Sequence, residues 1–139
     1  MQLGHTIYIH HTAEAVPFYC RVFGLELGYH VKNADGSFFH GELTRDGHTL
    51  LALSEARPET QTHNNIVCLG MGLDSAEAVH EAVPLLAEGG SVPMPITSLP
   101  WSPCCAEVID RYGVWWYLTA PQHSPGEDFD PKDCDSGAR

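Results

Sequence analysis

At 139 residues, with 43 % apolar residues, the chain can form one domain, or two closely similar half-domains, around a real core. Eighteen acidic residues against seven basic ones give a formal net charge of −11, which argues against nucleic-acid phosphates or an anionic membrane as partners, since both need a basic surface. No apolar run is long enough to span a bilayer, and Met1 to His5 lacks the basic and then apolar order of a secretory leader, so a cytoplasmic location is expected.

His5 to His10 alternates, with His5, Ile7 and Ile9 on one face and Thr6, Tyr8 and His10 on the other, which predicts a strand. Thr12 is placed to cap a helix, with Glu14 in its first turn. Val16, Tyr19, Cys20 and Phe23 recur at helical spacing until Gly24 ends the run, and Pro17 predicts a short or distorted opening turn. A strand over Leu25 to Lys32 follows, then a turn at Ala34-Asp35-Gly36. Phe38 to Thr44 and Thr49 to Ser54 form a predicted hairpin about Arg45-Asp46-Gly47, so the unit reads β-α-β-β-β.

The same plan recurs further along. Ile66 to Leu73 reads as a buried, glycine-interrupted strand, and Ser75 caps a helix that runs through Ala87 with Pro84 inside it. Ser91 to Ile96 is a short edge strand because of Pro93 and Pro95. Cys105 to Ile109, a turn at Arg111-Tyr112-Gly113, and Val114 to Thr119 complete the second unit. Residues 121–139, rich in Pro, Gly, Asp and Ser, are expected to be a disordered acidic tail. The predicted organisation is a first unit at 1–56, a linker at 57–63, a second unit at 64–120, and the tail.

Two sequence matches support duplication. TAEAV at 12–16 and SAEAV at 75–79 lie 63 residues apart, and Glu42 and Glu107 begin similar strand-and-turn segments 65 residues apart. The five cysteines, an odd number with no CxxC spacing, favour reduced thiols. Adjacent Cys104 and Cys105 suit redox or soft-metal chemistry, or are simply strand neighbours on opposite faces with one buried and one exposed; the second reading is preferred.

Two tandem βαβββ units resemble the vicinal oxygen chelate superfamily, which includes glyoxalase I, extradiol dioxygenases and the bleomycin and fosfomycin resistance proteins. LGHTIYIHHTAEAVPFYCRVFGLEL is similar to that superfamily's first strand and helix. FFHGELTRDGHTLLALSEARP and LPWSPCCAEVIDRYGVWWYL resemble its PhnB-like branch more narrowly, with Trp101, Asp110, Arg111, Tyr112, Gly113, Val114 and Trp116 in matching order. The resemblance, which covers about residues 3–120, implies an α+β fold in which the two units form a curved, open, eight-stranded barrel-like sheet with helices outside. It also implies a homodimer.

In metal-using members one divalent ion sits between the units, held by His, Gln or Glu from the first and last strand of each. Carried over by position, His5 matches the first ligand. The strand Thr49 to Ser54 has no carboxylate and Glu55 falls just past it; Asn64, Asn65 or Val67 stands at the third position and Tyr117 at the fourth. The usual site is therefore expected to be absent, and no cofactor is expected. A displaced divalent-metal site from His5, His40, Glu42 and Glu107 is the alternative, set against a solvated His40–Glu42 face with Phe39 and Leu43 turned inward. His10 and His11 sit at the strand-to-helix junction and diverge.

Trp115 and Tyr117 share one strand face, with Val114, Trp116 and Leu118 on the other, and Trp101 lies nearby. Together with Phe38, Trp101, Trp115 and Tyr117 are the candidate ligand-binding residues of an aromatic cup for a small molecule. The first functional reading is thus a metal-independent small-molecule-binding protein. The second is a metal-dependent lyase, isomerase or dioxygenase in which Glu42 or Glu107 shuttles a proton. A third, an interaction partner acting through the acidic tail, rests on composition alone.

Overall fold

The computed structural model describes residues 1–63 and 66–121. Residues 122–139 of the acidic tail and the candidate positions Asn64 and Asn65 lie outside the described residues. The chain divides between His63 and Asn64 into two compact units.

The first unit runs β1 (Ile7–Ile9), α1 (Thr12–Phe23), β2 (Glu26–Lys32), β3 (Phe38–Arg45) and β4 (His48–Glu55). Its mixed sheet has the order β1-β4-β3-β2, with β1 parallel to β4 and the other pairs antiparallel. Helix α1 packs on one face of β2, β3 and β4. It buries Ala15, Val16, Tyr19 and Phe23 on the same side of the unit as Leu43, Leu51 and Leu53. Each such large apolar side chain stabilises the fold by about 1.5–3 kcal/mol on burial. At the β3–β4 turn Asp46 and Gly47 both take positive φ, 52° and 77°, the two-residue geometry that matches strand twist.

The start of α1 differs from expectation. Thr12 is the first helical residue, and the cap is His11, left-handed at φ 64° with no side-chain capping bond. The capping acceptor comes from the far side of the sequence. Glu55, at the end of β4, accepts the His11 amide at 2.9 Å, the Thr12 amide at 2.8 Å and the Thr12 hydroxyl. The Thr12 hydroxyl in turn accepts the Phe38 amide at 2.8 Å, tying helix and sheet together. Pro17 does not break the helix, which runs on to Gly24 in the left-handed conformation.

One residue of β3 reverses an expectation. Val31 pairs with His40 but Lys32 pairs with Phe38, so Phe39 is an extra, bulged residue. The slip turns Phe38 into the core at 4 % exposure and leaves Phe39 outside at 67 %. A β-carbon on Gly41 would lie 3.2 Å from the Phe38 ring, so glycine there makes room for it.

The second unit repeats the order: β5 (Cys68–Gly72), α2 (Ala76–Leu86), β6 (Ser91–Leu99), β7 (Ser102–Ile109) and β8 (Trp115–Thr119). Its sheet has the order β5-β8-β7-β6, with β5 parallel to β8. Ser75 caps α2 as expected, accepting the Ala78 amide at 3.1 Å. The helix packs Val79, Ala82, Val83 and Leu86 over β7 and β8. β6 is an edge strand, as its prolines predict, but extends to Leu99 by shifting register around Pro93 and Pro95.

Two burial expectations are corrected here. β5 is not buried: its five residues are half-buried or exposed, and β-carbons on Gly70 and Gly72 would meet nothing within 4 Å. Cys104 and Cys105 are both buried, at 6 % and 0 %. They do point to opposite faces. Cys104 shares the helix-covered face with Ala106 and Val108, whereas the Cys105 thiol is covered on the other face, 3.5 Å from the Thr97 carbonyl it donates to.

The duplication is visible in the pairing. Glu42 stands opposite Ala52 and Glu107 opposite Tyr117, and the same 65-residue offset relates both positions. The units are thus two tandem βαβββ-type motifs, each a four-stranded mixed sheet, giving an α+β fold without a closed barrel. Among the described residues no helix is long and apolar enough to cross a membrane.

Candidate functional site

The side-chain alternation of β7 and β8 builds the site in the second unit. Ala106, Val108, Trp116 and Leu118 lie under α2 and are fully or almost fully buried. Cys105, Glu107, Trp115 and Tyr117 therefore line the opposite, open face. Trp101, in the turn between β6 and β7, completes it: its indole Nε1 donates to the Tyr117 hydroxyl at 2.9 Å. Trp101, Trp115, Tyr117 and Glu107 surround a pocket of about 350 Å³, with Cys68 and Met94 in its wall. That volume lies within the ~300–1,000 Å³ usual for small-molecule sites.

The pocket's electrostatics oppose negative charge. Burial first, then the Glu107 carboxylate, pushes the Cys68 thiol up to about 11. The Tyr117 phenol is raised by burial, by its hydrogen bond with Cys105 and by Glu107, against the opposing bond from Trp101. Both groups are neutral at pH 7. Trp115 Nε1 is buried without an acceptor among the described residues, at a cost of about 1–3 kcal/mol.

The open face of the first unit is built differently. His40 Nε2 lies 3.2 Å from Glu42 Oε1, and the Thr49 hydroxyl donates to Glu42 Oε2 at 2.9 Å. These two hydrogen bonds, His40 first, hold the Glu42 carboxyl below the usual carboxylate range. A groove of about 1370 Å³ runs past Tyr8, His10, Phe39, His40 and Ser54. Its polar side chains are largely engaged: His10 with the Thr60 carbonyl, Glu55 with the start of α1, and Asp35 with Ser37.

The candidate residues thus separate into groups. His40 and Glu42 meet, and Trp101, Trp115, Tyr117 and Glu107 meet. His5 is exposed ahead of β1, and Phe38 is packed into the core of the first unit. Among the described residues no three His, Cys, Asp or Glu side chains gather as a metal-binding group. The donor chemistry agrees: Ala52 stands where a fourth-strand carboxylate would face Glu42, the Glu55 carboxylate serves α1, and the Tyr117 hydroxyl is bonded to Trp101. These residues do not fit the four-ligand pattern.

Sequence reasoning missed Met94 and Cys68 as pocket residues. Cys68 could have been found from its parallel pairing with Trp115, whereas Met94 sits between two prolines in a bulged strand whose register is not readable.

An α+β fold built from two tandem βαβββ motifs defines a class. The chain belongs to the Glyoxalase/Bleomycin resistance protein/Dioxygenase superfamily, whose family model matches residues 2–118. No curated protein matches it significantly. Among solved structures, its fold is similar to protein PA1353 from Pseudomonas aeruginosa, with a TM-score of 0.69, 24 % identity, and coverage of 88 % of this chain and 100 % of that one. A PhnB protein from Bacillus cereus, described as a putative 3-demethylubiquinone-9 3-methyltransferase, gives 0.70 at 23 % identity over 87 % and 100 % of the two chains. The fosfomycin resistance protein FosX from Listeria monocytogenes, complexed with Mn(II) and sulfate, gives 0.62 at 14 % identity over 86 % and 89 %. Likeness at these identities establishes the fold.

Proposed function

We propose that this superfamily member is a binding protein that holds a small molecule in the aromatic pocket of its second unit, without a resident metal ion. The supporting observation is the Trp101–Tyr117 hydrogen bond, which brings two aromatic rings together beside Trp115 on an open sheet face. Aromatic surface of this kind contributes apolar contact and ring stacking, with few rotamers to freeze. The reading includes a homodimer, as the family resemblance implies, placed in the cytoplasm.

The second reading, a metal-dependent lyase, isomerase or dioxygenase, draws on the His40–Glu42 pair, which supplies one nitrogen and one carboxylate. It needs further ligands, whereas the first reading needs none.

A neutral aromatic fluorophore, N-phenyl-1-naphthylamine, separates them. It should bind with a stoichiometric rise in emission that EDTA leaves unchanged, and Trp101→Ala or Tyr117→Ala should weaken it at least about tenfold. Emission indifferent to both substitutions, or one equivalent of a divalent metal retained through dialysis, would overturn the proposal.

A further inference from the structure

We propose that the second unit's pocket selects an organic cation, an alkylammonium group seated against the Trp101, Trp115 and Tyr117 rings with the Glu107 carboxylate as its counter-ion. The inference rests on the reading that this pocket is the ligand site, and adds the chemical class of the ligand.

The duplicated architecture supplies an internal control. Glu42 and Glu107 occupy equivalent positions, each facing away from its helix. Glu42 is hydrogen-bonded at both carboxylate oxygens, to His40 and to Thr49. Among the described residues Glu107 takes no hydrogen bond or salt bridge, and no Lys, Arg or His lines its pocket. The first unit supplies its carboxylate with partners; the second surrounds it with rings.

Rings and an unpartnered carboxylate together define a preference. The faces of Trp and Tyr carry negative quadrupole potential, so they attract a cation within about 6 Å of the ring centre. An anion would meet the same faces, the Glu107 charge and a low-dielectric wall, all unfavourable. A neutral ligand would gain the apolar contact and leave the carboxylate uncompensated. The Cys68 thiol and the Tyr117 phenol are made weaker acids mainly by burial, and the Glu107 charge adds to both effects, so its field reaches across the pocket. The chain's net charge of −11 acts in the same direction at long range.

Choline and its uncharged isostere 3,3-dimethylbutan-1-ol differ only by carbon in place of the quaternary nitrogen, and each can be titrated as a competitor of bound N-phenyl-1-naphthylamine. Choline should compete at least about tenfold more tightly, a factor consistent with a desolvated cation–π contact plus an ion pair. Glu107→Gln should bring the two competitors within about twofold of each other, whatever its effect on the fluorophore's own affinity, and Glu42→Gln should leave their ratio unchanged. Equal competition by the two compounds, or no displacement by choline while the fluorophore still binds, overturns cation selectivity and leaves the pocket reading standing. Failure of the fluorophore to respond to Trp101→Ala and Tyr117→Ala removes the pocket reading itself, and the inference with it.

Discussion

Asp110 engages both carboxylate oxygens inside the fold. Oδ1 accepts the Tyr112 and Val114 amides at 2.9 and 3.1 Å, and Oδ2 accepts the Trp116 indole at 2.7 Å. Asp110 is 2 % exposed and Trp116 1 %, so no water can replace these bonds. Asp110→Ala should lower stability by about 3 kcal/mol or more in urea unfolding, because it strands a buried indole donor and two amides. Asp110→Asn should lose less but not recover fully, since an amide cannot accept on both sides at once. An Asn variant as stable as the parent would show that charge is irrelevant at this turn. The segment from Asp110 to Trp116 is thus a structural clamp: the residues that make the branch resemblance specific fix the β7–β8 turn and bury an indole. They hold the strand that presents Trp115 and Tyr117, and by themselves name no ligand.

The two helices solve the same problem with different donors and acceptors. α2 is capped locally by Ser75, whereas α1 depends on Glu55, which reaches it from the last strand of its own unit. Burial pushes the Glu55 carboxyl up, but the Thr12 hydroxyl and the Thr12 and His11 amides outweigh it and leave the group below its ordinary value of 4.5. A carboxyl depressed in the folded state stabilises fully above its unfolded value, and that contribution fades as pH falls through the folded value. Glu55→Gln should therefore cost about 1–2 kcal/mol at pH 7, in the range of a lost helix cap. The gap from the parent should narrow once the pH drops below 4.5. A gap independent of pH would mean that the packing of the side chain, not its charge, fastens α1.

At the scale of the whole chain, the excess of acidic residues should steer cations toward the protein and be screened by salt. Raising salt from roughly 20 to 300 mM should slow choline association about three- to tenfold, while the neutral isostere's rate stays constant. Equal rates at both salts would limit the charge to a local role around Glu107. The same scale shows what the sequence makes legible. The order of ten elements follows from apolar periodicity, turn glycines and the duplicated pattern, because those signals are local. The β3 bulge does not, since one extra residue at Phe39 leaves the alternation looking continuous. Nor does the Glu55 cap, whose partners are 43 and 44 residues away. The aromatic members of the pocket are readable from strand parity; Met94 is not, because its strand changes register three times. That irregular strand has a consequence for association between molecules. β6 lies at the edge of its sheet, and Pro93 and Pro95 offer no amide hydrogen. A foreign extended chain laid alongside would find the row of donors interrupted twice, so fibril growth from this border is discouraged by covalent structure.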